Sequence, residues 1–525
     1  MGSQVTSVVT AGITLGSPDF YSPLTITTTG HVTHSSAGTA IYGAYGTVVN
    51  HGSIIASGGS ASKDFGVSIV GAGSIANTGK IVSDGVAVGI YGGAYVANSG
   101  TISGTRSGVT TQGGGTVINT GSILSSGAGV GLYGGGYVTN SATISGSLFG
   151  VASQGLATVV NTGSILSNGT AVSMYGGGYV TNHRDISGAV GVRIGGAAGT
   201  VVNTATIAGS HGYGIALEAG GYVTNSGTGI ISASGTNTGV YLGGGAGTVV
   251  NSATISGGTG VAFYAGTASQ TLIDSGTIIG TGGTAVAFGG GYDLLQFQPG
   301  HLLVHGTIDG GGGANTLEFA SAASAGTLTG VGAYVVNFAN GIVDAGATWT
   351  LAGSNTFAAS VGLTDDGSLT VAGTLLNGGT LTGNPLDLSG AQLTNLGSGF
   401  IYSSTNGVYA AAGGATDTIV NQGTIAGADA AIYLRGQGHV SNAIDASIYG
   451  VVEGVILAGA QSTVTNLGGI TASAGGGYGV GLANGGVVTN GQGGSGISGA
   501  LISGQSGVTF SSATPGRYTG TLNND

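Results

Sequence analysis

The chain contains no cysteine, and its 525 residues include only 5 prolines, 2 methionines and 1 tryptophan. Without Cys there is no disulfide, no zinc–thiolate site and no thiol nucleophile. Charge is equally scarce: 7 Lys plus Arg and 18 Asp plus Glu make up 5% of the residues, against about 25% in ordinary soluble proteins. So few cations at a net charge of −11 exclude nucleic acid as a partner, because that affinity needs clustered Lys and Arg. Long apolar runs are also missing. Gly, Ser or Thr interrupts every short stretch well before the roughly 20 residues that a spanning helix requires, so no membrane span is expected. The start, MGSQVTSVVTAGITL, places no Lys or Arg ahead of its weak apolar stretch and does not follow the secretory-signal pattern.

Glycine fills the space, at 117 residues, without the every-third spacing of collagen. A hydrophobic share of 41% with a mean hydropathy of +0.40 is too high for a disordered chain. The decisive feature is a repeat. An anchor of the form [TYH]-[VI]-x-Asn gives Asn98, Asn119, Asn140, Asn161, Asn182 and Asn203, each 21 residues after the last. The series extends upstream to Asn77 and Asn50, downstream to Asn225, Asn251 and Asp274, and returns at Asn421, Asn442, Asn466 and Asn490. Isoleucine follows four residues after most anchors, as at Ile102, Ile123 and Ile144, and an alternating pair such as Val130 and Leu132 comes later in each unit.

Alternation with period two indicates strands, and the glycines between them supply corner conformations. Three short strands per 21 residues make one rung of a parallel β-helix, expected to be right-handed. A lone rung cannot bury its apolar side chains, whereas stacked rungs bury a continuous column. At about 4.8 Å per strand, some 25 rungs would extend roughly 120 Å. The organisation expected is a cap or strand-donating segment over 1–30, regular solenoid over 31–290, irregular rungs or an insertion over 291–415, regular solenoid over 416–505 and a tail over 506–525. In the irregular stretch Asn337, in YVVN, is the one remaining anchor.

The strings GTVINTGSILSSGAGVGLYGGGYVTNSATISG and ATWTLAGSNTFAASVGLTDDGSLTVAGTLLNGGTLTG resemble the passenger regions of bacterial autotransporters and the related surface β-solenoids of the filamentous-haemagglutinin kind. That resemblance spans nearly the whole chain. It implies an extracellular protein of the bacterial cell surface that serves adhesion, aggregation or matrix building.

Several residues are candidates for more than architecture. The Asn column is expected to stack at one corner and hydrogen-bond from rung to rung. Tyr91, Tyr133 and Tyr175 recur at 42 residues, as do Tyr95, Tyr137 and Tyr179, with Tyr222 following. Alternation points these rings outward, so they are candidates for self-association or for stacking on surface glycans, with plain coverage of the glycine corners as the structural alternative. Gly310–Leu317 is similar to the calcium-binding RTX nonapeptide, with Asn315 in place of its Asp. Asp293 and Asp309 sit in comparable glycine-rich turns, giving a weak calcium site and otherwise no cofactor. Asp344, Asp365, Asp366 and Asp387 lie about one rung apart; stacked, they would suit a glycosidase, although no Arg or Lys accompanies them. The reading is a structural, non-enzymatic protein that associates with itself, with a glycan-binding or polysaccharide-degrading β-helix as the alternative.

Overall fold

The computed structural model describes residues 2–59, 64–264, 266–300, 302–413, 415–491, 499–511 and 519–524. His301 and part of the expected tail, 512–518 and 525, lie outside them. Among the described residues the chain is an all-β parallel solenoid of about 22 turns, roughly 21 residues and three strands per turn, with no helix. No helix is therefore long and apolar enough to cross a membrane. Contacts divide the chain into two units. One comprises Met1–Leu272, Gly276–Gly290 and Leu303–Gly306; the other comprises Ile273–Ser275, Gly291–Leu302 and Thr307–Asp525.

In the first unit the Asn-bearing strands stack in parallel and in register, so that Val48, Ile75, Val96, Val117, Val138 and Val159 form one column. Each member of that column is fully buried. A second column runs Ile54, Ile81, Ile102, Ile123, Ile144 and Ile165, and a third runs Val67, Val88, Val109, Val130, Val151 and Val172, again without exposed surface. Each such side chain contributes about 1.5–3 kcal/mol on burial, and only stacking removes both of its flanks from water.

The asparagines form the hydrogen-bonded ladder expected of them. From Asn50 to Asn225 each side-chain amide donates to the Oδ1 of the next rung at 2.7–3.0 Å, the last of them to Asn251. The same amides reach carbonyls of their own turn and of the next rung, as Asn98 does to Gly100 and Ser122. The second unit has its own ladder, Asn377, Asn395, Asn421, Asn442, Asn466, Asn490 and Asn524. Asn337 belongs to neither. Its φ is 64° and its amide donates to Asp309 Oδ1 at 2.7 Å, so it closes a turn instead of facing the core.

Residues 3–15 are not a free strand available for donation to another subunit. Ser3–Val5, Val8–Val9 and Ile13–Leu15 form the first turn, paired with Leu24–Ile26, His31–His34 and Thr39–Gly43. The described part of 291–415 also stacks in parallel, through longer strands such as Thr348–Phe357 on Ser368–Asn377.

The two-rung period is written into the backbone as well. Gly136, Gly178 and Gly221, each preceding an exposed Tyr, have φ of 137°, 143° and 131°. The intervening rungs carry Gly115, Ala157 and Gly199 at that position with ordinary φ, and Ala94, before Tyr95, has ordinary φ as well. A Cβ on Gly136 would collide with the Gly115 carbonyl oxygen, whereas one on Gly114 meets nothing within 4 Å. Gly136→Ala is therefore expected to destabilise by about 2 kcal/mol, and Gly114→Ala to be neutral or slightly stabilising. Paired thermal melts check this contrast; equal melting of the two variants would contradict it.

Candidate functional site: an aromatic groove

The site grows out of the strands Phe65–Ile69, Val86–Ile90, Ser107–Thr111, Ala128–Leu132, Phe149–Ser153 and Thr170–Met174. Their third and fifth residues face inward, so their first and fourth face out. The fourth positions stack as Ser68, Gly89, Thr110, Gly131, Ala152 and Ser173, a floor of small side chains five steps or about 24 Å long. Phe65 and Phe149, from the first positions, rise on one side. On the other side the residue just after each strand gives the alternating row Tyr91, Gln112, Tyr133, Gln154 and Tyr175, fixed by backbone bonds such as Tyr133 N–H to the Thr111 carbonyl. Over the middle of that floor, at Thr110, Gly131 and Ala152, they enclose a groove of about 420 Å³ that also meets Arg106 and Ser107.

Both ends of the floor are closed by larger residues. Tyr42 precedes Ser68 in the column, and Arg193 follows Ser173. Arg193 makes a two-pronged ion pair with Glu218, at 2.7 and 3.2 Å, and lies 5.8 Å from the Tyr175 ring centroid. Beyond it Tyr213, Tyr241 and Tyr264 stack at 4.9 and 5.7 Å. Within the groove Thr110 donates to Ser107 Oγ at 2.8 Å, and Ser107 donates to the Val109 carbonyl. Burial raises the Tyr91 phenol above its usual range, with nearby Arg106 acting against that shift, so the ring stays neutral.

The tyrosines expected to face outward divide between two faces. Tyr133 and Tyr175 are each 47% exposed, and Tyr91 is half-buried against Phe65 at 6.3 Å. Tyr95, Tyr137, Tyr179 and Tyr222 lie instead on the outer face of the Asn-bearing strands, 39–55% exposed. They alternate there with Thr116, Thr158 and Thr200. Gln112, Gln154, Phe65 and Phe149 carry no motif, yet Gln112 and Gln154 are also 42 residues apart and the two phenylalanines twice that. That regularity was the available signal.

The acidic candidates are close enough to raise one another's pKa, Asp366 acting on Asp344 and Asp387 on Asp365, but they do not share one face. Asp344 and Asp366 follow Val343 and Asp365, which are paired on neighbouring strands, but Asp365 points inward and is only 4% exposed. Asp387 pairs with Thr370 on a different sheet. The spacing argument fails because the turn after Asp365 is shortened, with Gly383 as its partner. The calcium candidates are held by protein groups. Asp309 accepts the Gly311 N–H, and Asn315 accepts the Asp293 N–H while donating to the Gly310 and Asn337 carbonyls. Among the described residues no three His, Cys, Asp or Glu side chains gather as metal ligands would. Comparison with protein-family models, with curated proteins and with solved structures gives no match.

Proposed function

We propose that the chain is an extracellular structural protein of a bacterial surface, which builds adhesive or matrix assemblies by packing one copy against another. The observation that supports this reading is the outer face of the Asn-bearing strands in the first unit. From Gly46–Asn50 to Gly247–Asn251 its outward positions are Thr, Ser or Tyr in one column. The other column is Val49, Ala76, Ala97, Ile118, Thr139, Val160, Thr181, Val202, Thr224 and Val250.

No charge interrupts this face along nine strand steps, about 43 Å. Exposed apolar patches of that extent mark interaction surfaces, and the self-complementary partner is a second copy, whose Tyr and Thr rows have the same spacing. Two like-charged faces would repel; these have nothing to repel with.

Sedimentation velocity and negative-stain microscopy across a concentration series test the reading. Assemblies should form in the parent chain and disperse in the double variant Val160→Lys/Val202→Lys, whose melting temperature should stay close to the parent's because both positions already face water. A parent chain that stays monomeric throughout, or assemblies indifferent to the two lysines, would sink it.

A further inference from the structure

The groove lies on a different face from the one proposed for self-association, and its chemistry is that of a ligand site. Ligand sites combine an aromatic lining with a few placed polar groups. Here Tyr91, Tyr133 and Tyr175 recur every second rung, about 9.6 Å apart, with a Gln amide between each pair. The floor of Thr110, Gly131 and Ala152 is made of small side chains that let a ligand approach closely, while Gly89 lies beneath the Phe65 ring.

We propose that this groove binds an extended, β-1,4-linked polysaccharide, one sugar per rung. Such a chain is a flat ribbon whose successive rings are inverted, so the same ring face returns every second sugar, as the tyrosines do. The C–H faces of pyranose rings are apolar and pack on aromatic rings. Their hydroxyls lie at the ribbon edge, where Gln112 and Gln154 both donate and accept, and where the Thr110 hydroxyl lies in the floor. No carboxylate lines the groove and Arg106 is its sole charged group, which favours a neutral chain over an ion-paired ligand. Phe65 and Tyr91 cover Gly89 at one end and Ser173 is buried beside Arg193 at the other, so the open floor is the three rungs of Thr110, Gly131 and Ala152, along which part of a longer chain would lie.

Isothermal titration calorimetry with cellohexaose, N-acetylchitohexaose and the α-linked helical maltohexaose tests the assignment on the full chain. At least one β-linked hexamer should bind, and maltohexaose should not. Tyr133→Ala should weaken binding by at least about tenfold, whereas Tyr137→Ala, on the other face, should leave it unchanged. Gly131→Phe should abolish binding by filling the floor. A Cβ at Gly131 meets nothing closer than 3.8 Å, and the variant's melting temperature, expected to match the parent's, separates a filled floor from a lost fold. The proposal is overturned if neither β-linked hexamer binds, if maltohexaose binds equally well, or if Tyr133→Ala and Gly131→Phe retain the parent affinity. These outcomes are independent of whether copies of the chain associate.

Discussion

Asn140→Asp should unfold the turns around it at neutral pH, at a cost of at least about 4 kcal/mol. The Asn140 amide donates to the Ala142 carbonyl at 3.0 Å, to Asn161 Oδ1 at 2.9 Å and to the Ser164 carbonyl at 3.1 Å. Its own Oδ1 accepts from Asn119 at 2.8 Å. A carboxylate keeps the bonds accepted from Asn119 and, more weakly, from the Ala142 N–H at 3.4 Å, and turns the other contacts into oxygen facing oxygen, in a position with no exposed surface. Asn140→Ala removes the same donors without adding charge and should cost about 2 kcal/mol. Because burial and the facing oxygens raise the pKa of the introduced carboxyl, its penalty is full above that pKa and relieved as acid protonates it, so acid should narrow the deficit of Asn140→Asp relative to the parent chain and leave that of Asn140→Ala unchanged.

Stability in a solenoid is a sum of turn and neighbour terms, so the damage should be local. Hydrogen exchange should show lost protection in the strands Gly115–Asn119 to Ala157–Asn161, with turns several rungs away still protected. Unaltered protection at Asn140→Asp would mean that the ladder follows the stacking and does not hold it.

The ladder illustrates what a sequence can announce. Its first block was legible because Val or Ile precedes each Asn at a constant interval. Asn377, Asn395 and Asn524 escaped notice because Leu375, Leu393 and Leu522 replace the β-branched residue, although Leu fills the same inward position. Asn337 matched the motif and failed in space, since a motif records composition and the left-handed φ at that residue comes from the turn it closes. The groove was half legible. Its tyrosines stand out at 42 residues, but its floor is a column of one unremarkable Gly, Thr, Ala or Ser per turn, visible only once the register is known. The carboxylates misled for the opposite reason, a spacing that looked regular across turns of unequal length.

Stability should also fall as pH rises from about 4 to about 6, by about 3 kcal/mol, and then level off. The source is Asp365, whose carboxylate oxygens accept the Gly367 and Leu369 N–H groups at 3.0 and 3.1 Å. Burial pushes its pKa up to about 6, more than those two bonds pull it down, and Asp387 and Asp366 push it further. A carboxyl easier to ionise in the unfolded chain than in the folded one favours folding while both forms are protonated. It withdraws that contribution as the unfolded form ionises first, until the folded form ionises too. Asp387, Asp417 and Glu453 are raised by burial in the same direction, so they steepen the trend and do not oppose it.

Trp349, the chain's one tryptophan, is buried beside Leu369 in register and donates to the Ala320 carbonyl at 3.0 Å. Its fluorescence therefore reports on the neighbourhood of Asp365. Urea titrations followed at this ring should show the acid-side gain in the parent chain. In Asp365→Asn, which keeps one acceptor and cannot ionise, the slope between pH 4 and pH 6 should shrink by about one proton, leaving the variant weaker than the parent in acid and closer to it, or stronger, at neutral pH. Parallel pH profiles for the two chains would place the proton elsewhere and leave Asp365 as a turn residue whose charge the fold tolerates.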